Sequence, residues 1–376
     1  MRETYLQIRG AFLSAARDAA VPVISYEMPN HRGNSCNEVL ATDVALLGET
    51  EATTVVVVTS GAHGVELPFG SRLQRAWLST AQELCAEHNQ VRFVFAHALN
   101  PFGAAYGLRT DQDNIDVTRN FVDFKEPRPL SVGYRAIADA LAPVDLGAAF
   151  RAKSWAKMLH YALVTNSMGE FTQNLAGGQY EFPKGLYYGG DAPSWSRITW
   201  EKIIHDHVDD KYIQTLWHLD LHTGTGARGQ LQVLINNDKD SSLYNSLNPV
   251  CEPARTGDRT ATDGPKPTNL VRASTTGDIV DFWPRAGLSR PVNIVPVALE
   301  VGTSKLPGPF NGMDVLDSMI KRNALSQNFH DRHPSTEKII ETMRDTFDPQ
   351  DRKWQASAFR QGQEFWDRLI SQVAPK

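Results

Sequence analysis

The sequence predicts an α/β protein, and three neighbouring stretches carry that reading. Residues 53–59, TTVVVVT, are nearly all apolar, the pattern of a strand buried on both faces. Pro68 then takes a first-turn helix position, and Phe69, Leu73, Trp77, Ala81 and Leu84 recur at helical spacing behind it. A second apolar run at 91–99, VRFVFAHAL, completes a β-α-β unit, whose right-handed crossover makes the two strands parallel neighbours.

The other elements follow in order. Residues 3–18 place Tyr5, Ile8, Phe12, Ala15 and Ala16 at helical spacing, and short β-branched runs at 21–26 and 43–47 read as strands. Helices are expected at 131–142, 195–208, 313–326, 335–346 and 352–373, and strands at 215–221, 230–235 and 294–300. The segment 237–276 is rich in Asp, Thr, Pro and Gly and reads as a long loop. Strands spread over 21–300 with no clean linker favour a single catalytic domain, 1–376, with long loops near 100–135, 170–195 and 237–276.

Composition removes several function classes. Hydrophobic residues make up 41% and charged residues 22%, which excludes a disordered chain or a collagen-like repeat. The net charge of −5 argues against a nucleic-acid partner, which calls for a basic surface. The longest aliphatic run, Val55–Val58, is far short of the roughly 20 residues that span a bilayer, so no membrane partner is expected. Charges at Arg2, Glu3, Arg9, Arg17 and Asp18 break up the N-terminal stretch, so a secretory signal is not expected there. Cys36, Cys85 and Cys251 are odd in number and form no CxxC, which excludes a thiolate zinc site and suits free thiols in the cytoplasm.

Four polar constellations lie where strands end, the place at which open α/β sheets bind ligands. His63 and Glu66 follow the strand at 53–59 on a turn entering a helix, and can present a nitrogen and an oxygen to one zinc ion. By itself this pair better suits a helix-start glutamate beside an incidental histidine. His222, in Asp220-Leu-His222-Thr-Gly224, is placed as a third ligand. Asp220 lies on the same strand face and can accept that imidazole's other N–H. His218 and His97 read as satisfied core histidines, and His205 and His207 as a solvated helix face.

Glu300 ends the apolar run IVPVALE, where a carboxylate is costly unless paired or working in a cleft. Its functional reading is a general base toward a metal-activated water. The stretch 100–121 adds Arg109 and Arg119, whose forks suit a carboxylate or a polarised carbonyl. The plainer reading is two surface arginines balancing Asp111, Asp113 and Asp116.

Taken in order, SGAHGVE, NPFG…NIDVTRNF, LDLHTG and ALEVGT resemble the zinc carboxypeptidase superfamily over roughly residues 50–305. The branch they most resemble carries G-x-H-G-V-E and is related to carboxypeptidase A and to the succinylglutamate desuccinylases and aspartoacylases. The loop at 177–196 is similar to that branch too. The resemblance implies a three-layer α/β/α sandwich with a mixed, roughly eight-stranded sheet. It implies one Zn2+ per chain on His63, Glu66 and His222, with Glu300 as general base and Arg109 at the oxyanion. Arg119 matches the arginine that holds a substrate carboxylate, with Thr118 where many members have asparagine. Tyr188, with Tyr180 and Tyr187 as alternatives, is a candidate for the tyrosine that closes over substrate in digestive members. The implied activity is zinc-dependent hydrolysis of an amide bond beside a carboxylate, on a peptide or an N-acyl amino acid. The contrasting readings are a deacylase of the desuccinylase/aspartoacylase type and a metal-binding pseudoenzyme without catalysis.

Overall fold

Val55, Val56, Val57 and Val58 are all inaccessible to solvent. Side chains alternate between the two faces of a strand, so this run needs a covering layer on each side. The computed structural model describes residues 2–32, 38–164, 175–235, 246–247, 249–251, 270–272, 275–283 and 286–374. Cys36 and most of the expected loop at 237–276 lie outside them.

Helix α1 (Tyr5–Asp18) opens on Thr4, whose hydroxyl and the Gln7 side chain form a reciprocal capping box. Strands β1 (Val23–Arg32), β2 (Val39–Leu47) and β3 (Thr54–Ser60) follow, then α2 (Leu67–Glu87) and β4 (Val91–His97). Helix α3 (Pro101–Tyr106) is short, capped by Asn100 and closed by Gly107 at φ 63°. Helices α4 (Val132–Leu141), α5 (Ala148–Val164) and α6 (Trp195–His207) lead to β5 (Thr215–Gly224), β6 (Leu231–Ile235), β7 (Leu270–Arg272) and β8 (Asn293–Gly302). Helices α7 (Met313–Phe329), α8 (Thr336–Phe347) and α9 (Arg352–Val373) complete the order.

All eight strands form one mixed sheet, in the order β1-β2-β4-β3-β5-β8-β6-β7. The central strands β4, β3, β5 and β8 run parallel, with Thr54 opposite Val91 and Thr215, and His222 opposite Glu300. β2 and β6 pair antiparallel on either side of this centre. The carboxyl ends of β3, β4, β5 and β8 therefore open on one edge.

The fold is a three-layer α/β/α sandwich. Against one face, Phe12 of α1, Phe69 and Trp77 of α2, and Phe365 and Trp366 of α9 pack on Val56, Val58, Phe93, Phe95 and Leu219. Trp77 and Trp366 stack at 4.5 Å. Against the other face, Trp200, Ile203 and Ile204 of α6 meet Val55, Val57, Val94 and Leu216. A further cluster joins α4, α5, α7 and α8 through Tyr134, Met158, Met319 and Phe347, and reaches Val65 beside the strand edge.

The expected β-α-β unit is present as β3-α2-β4. The expected strand at 43–47 begins earlier, at Val39, and the one at 215–221 runs on to Gly224. Helix α5 was not expected, for a physical reason. It buries only Ser154 and Met158, and exposes Leu159, Leu163 and Val164, so its apolar residues mark no single face. No helix among the described residues is long and apolar enough to cross a membrane.

His97, at the end of β4, is fully buried and stacks on Phe12 at 4.2 Å, with Nε2 3.0 Å from Ser71 Oγ. Burial pushes its pKa down to about 3. The unfolded chain gains this proton below the ordinary histidine value of about 6.5, whereas the folded chain stays neutral until far lower. Stability is therefore lost as pH falls through that window. Urea denaturation should show wild type losing about 1 kcal/mol more than His97→Gln between about pH 7 and about pH 5.5. Equal losses would mean that His97 is protonated in the fold.

Candidate metal centre

β3 ends at Ser60, and Gly61, at φ 67°, turns the chain out of the sheet. His63 then precedes a single 3-10 turn, Gly64–Glu66, which runs directly into α2 with Pro68 in its first turn. A side chain at Gly64 would put its Cβ 2.1 Å from the Ala104 nitrogen, so glycine lets this turn rest on the backbone of α3. The result places His63 and Glu66 side by side at the strand edge. His222 comes from the carboxyl end of β5, the neighbouring parallel strand.

The three side chains converge. His63 Nδ1 lies 2.9 Å from Glu66 Oε1, and His222 Nδ1 lies 2.9 Å from Glu66 Oε2. One ligand atom of each falls within 4.8 Å of the others, and all three residues are buried. Both far imidazole nitrogens are anchored. His63 Nε2 faces Asp116 Oδ1 at 3.1 Å and Thr118 Oγ1 at 2.9 Å, while His222 Nε2 faces Asp220 Oδ2 at 2.6 Å. Carboxylate-backed imidazoles are the usual second layer of a metal site.

One further observation tests the fit. His63 Nδ1 is buried and has no hydrogen-bond partner, although Glu66 is close. A buried polar atom without a partner is costly. Two imidazole nitrogens and a carboxylate oxygen aimed at one point are a donor set for a divalent ion of the zinc type. The described residues hold this one such cluster.

Charge is balanced across the site. Burial works against ionisation of Glu66, but His63 and His222 outweigh it and hold the carboxyl well below its usual range. Glu66 Oε2 also accepts from the Thr223 backbone N–H at 3.0 Å. Burial likewise opposes the His222 imidazolium, yet Asp220 and Glu66 hold it well above the ordinary histidine range. Arg109 is tied to Glu66 Oε1 at 3.0 Å and to Asp116 Oδ2 at 3.3 Å. Burial opposes ionisation of Asp116 too, and the charges of Arg109 and His63 pull its pKa far down.

Glu300 sits opposite His222 in the sheet register and accepts from the Thr225 backbone N–H at 2.8 Å. Its pKa is raised to about 7, first by burial and then by the charge of Glu66. It is thus close to the cluster of His63, Glu66 and His222 without belonging to it.

The remaining residues singled out by sequence fall differently. Arg119 is buried, and its Nε and Nη2 both donate to the Ala176 carbonyl, at 3.1 and 2.8 Å. Its Nη1 donates to Thr118 Oγ1 at 2.8 Å. Thr118 therefore stands behind His63. Tyr188 contributes its carbonyl, which accepts from Asp116 N at 2.7 Å, while its neighbour Tyr187 brings its ring within 5.7 Å of Arg109 and 5.8 Å of Arg119. Tyr187 reaches this position with φ at 57°. Of the two tyrosines, Tyr187 is the one the fold carries to the arginines.

His205 is exposed and His207 meets Tyr26 Oη at 2.8 Å, away from the cluster. The sequence reading passed over Asp116 as a site residue. Its signal was an acidic side chain in the otherwise apolar turn leading to Thr118.

The fold and site define an α/β/α sandwich with a buried His-Glu-His cluster able to hold a metal ion. The chain belongs to a family described as a protein of unknown function (DUF2817), whose model matches residues 2–361. Comparison with curated proteins returns no match. Among solved structures, bovine thrombin-activatable fibrinolysis inhibitor, in complex with a tick carboxypeptidase inhibitor, is similar at 9% identity. That likeness covers 99% of this chain and 98% of the other, with a TM-score of 0.48. A metallo-carboxypeptidase from Burkholderia cenocepacia is similar at 12% identity, covering 90% of this chain and 68% of that one, with a TM-score of 0.41. An aspartoacylase family protein from Mesorhizobium loti is similar at 15% identity, covering 82% and 67%, with a TM-score of 0.37.

Purified protein dialysed against zinc should retain one equivalent through gel filtration. His63→Ala and His222→Ala should lose it, whereas His205→Ala should keep it. Retention by both of the first two variants would move the site elsewhere.

Proposed function

We propose that this chain is a zinc-dependent amide hydrolase of the carboxypeptidase type, acting on a peptide or N-acyl amino acid substrate from a single catalytic domain. The observation that carries the reading is the orphaned His63 Nδ1 facing Glu66 and His222, with Glu300 on the adjoining strand. His63, Glu66 and His222 would hold the zinc ion, which would supply Lewis acidity when bound.

The chain's own residues do the rest. Glu300 takes the proton of the attacking water on a carboxylate oxygen and returns it to the leaving amine nitrogen. The Thr225 N–H fixes one of its oxygens, which leaves the other for that exchange. Arg109 brings positive charge beside Glu66, where negative charge on the substrate oxygen develops. Arg119 and Thr118 form the floor of the substrate side, under the Tyr187 ring. A site retained for structure alone gains nothing from a buried carboxylate such as Glu300, which favours catalysis over a pseudoenzyme.

Glu300→Gln keeps size and polarity but cannot take up the proton. Turnover on a confirmed amide substrate should fall roughly 10²–10⁴-fold, with zinc content unchanged. Loss of zinc along with activity would recast Glu300 as a ligand.

Arg119 already makes two hydrogen bonds to the Ala176 carbonyl and two to Thr118, at its hydroxyl and its carbonyl. A substrate carboxylate must compete with these bonds, so the enzyme should discriminate weakly at that end. The kcat/KM ratio of a free-acid substrate over its C-terminal amide should stay below about a hundredfold. A larger ratio that collapses in Arg119→Ala would show that Arg119 leaves Ala176 for substrate.

A further inference from the structure

The hydrogen bonds behind His222 do not stop at Asp220. Asp220 Oδ1 accepts from Thr59 Oγ1 at 2.6 Å, and the same hydroxyl oxygen lies 3.0 Å from His218 Nε2. His218 Nδ1 accepts from Trp283 Nε1 at 3.0 Å. Thr59, His218 and Asp220 are wholly inaccessible and Trp283 nearly so. Thr59 sits opposite Asp220 in the parallel register of β3 and β5, so the sheet itself brings the links together.

The two ends of this chain permit one direction of hydrogen bonding. An indole N–H only donates, and an ionised carboxylate only accepts. Thr59 has a single hydroxyl hydrogen, and Asp220 takes it. The contact between Thr59 and His218 must then be made by a hydrogen on Nε2. That leaves His218 Nδ1 bare, as the bond from Trp283 requires. His218 is accordingly a neutral imidazole, the form that burial favours, and Trp200 stacks on it at 5.2 Å. Asp220 is left with Oδ2 for His222 Nε2.

The backing of His63 is built differently. Asp116 Oδ1 is shared among His63 Nε2, the Thr118 N–H and the Thr118 hydroxyl, and its Oδ2 faces the Arg109 guanidinium. A cation competes for Asp116, whereas neutral groups support Asp220. The imidazole–carboxylate distances follow, at 3.1 Å for His63 and 2.6 Å for His222.

We propose that Trp283, His218 and Thr59 form a one-way hydrogen-bond relay that aims Asp220 at His222 Nε2, and that this relay sets the metal affinity of the site. The proposal rests on His63, Glu66 and His222 being the metal ligands. Trp283, His218 and Thr59 are positioning residues, since none of them belongs to the cluster of His63, Glu66 and His222. The relay fixes which nitrogen of His222 carries hydrogen toward Asp220 and keeps Nδ1 as the atom facing Glu66.

Two measurements on the full-length protein test this. The first is zinc affinity by chelator competition. Thr59→Val keeps the side-chain shape but removes the hydroxyl, and should weaken zinc roughly 10–100-fold, the usual cost of losing an outer partner of a ligating histidine. Thr59→Ser restores the hydroxyl and should bind as wild type. Trp283→Phe removes the indole N–H while keeping an aromatic ring, frees His218 to take the other tautomer and lets the Thr59 hydroxyl turn away from Asp220. It should weaken zinc as well. The second is the ¹⁵N spectrum of His218 in metal-free protein, which should show Nε2 protonated and Nδ1 bare in wild type and a changed pattern in Trp283→Phe. A packing role alone would lower thermal stability without moving that tautomer.

Wild-type zinc affinity in folded Thr59→Val, or in Trp283→Phe should the first variant fail to fold, overturns the relay. Protonation of His218 at Nδ1 in wild type overturns it too. Failure of wild type to take up zinc at all defeats the metal-site reading and the affinity claim with it, while the nitrogen spectrum still decides the direction of the bonds.

Discussion

A carboxylate with 1% exposure, Glu66, sits at the end of the central strands, and its surroundings are arranged to keep it charged. An isolated charge at that depth is costly. Here two imidazoles, a guanidinium and a backbone N–H converge on its two oxygens. Those four partners come from the turn after β3, the strand β5 and the loop after α3. The segments are far apart in sequence, and the carboxylate ties their ends together. The parallel centre of the sheet makes this feasible, because it brings the ends of β3, β5 and β8 to one edge.

Around Glu66 the polar groups are arranged in layers. Asp116 and Asp220 each stand behind one histidine, and each has its own partners. The Asp116 side is ionic, with Arg109 and, through Thr118, Arg119. The Asp220 side is neutral and buried within the sheet layer. The Asp116 side faces the loops at 107–119 and 176–190, and the Asp220 side faces the core.

Arg119 links these loops. Its guanidinium holds the Ala176 carbonyl and its own carbonyl accepts from Tyr180 Oη at 2.7 Å. The close approach of Gly277, whose Cβ would lie 2.4 Å from that same carbonyl, shows how tightly the segment is packed. The carbonyl of Gly277 accepts from Phe121 N at 3.0 Å. One arginine thus braces the loop carrying Tyr187 against the segment that leads to Trp283.

Much was legible in the sequence for local reasons. The valine run could only be a strand buried on both faces, Pro68 and the apolar spacing behind it fixed α2, and the ends of the apolar runs marked His63, Glu66, His222 and Glu300. Each of these depends on residues close in the chain, where periodicity and turn chemistry act. The mixed strand order, helix α5, the partnership of Thr118 with His63 and the choice of Tyr187 over Tyr188 do not. They depend on contacts between distant segments. A single backbone angle, Tyr187 at φ 57°, decides which of two adjacent tyrosines meets the arginines. Thr59 and Asp220, 161 residues apart, become partners only because two parallel strands align in register. The sequence by itself determined the α/β class and the residues able to bind metal. Tertiary structure alone decided which polar groups face the cluster of His63, Glu66 and His222 and which are spent on one another, because buried hydrogen bonds are shared out by geometry and not by order along the chain.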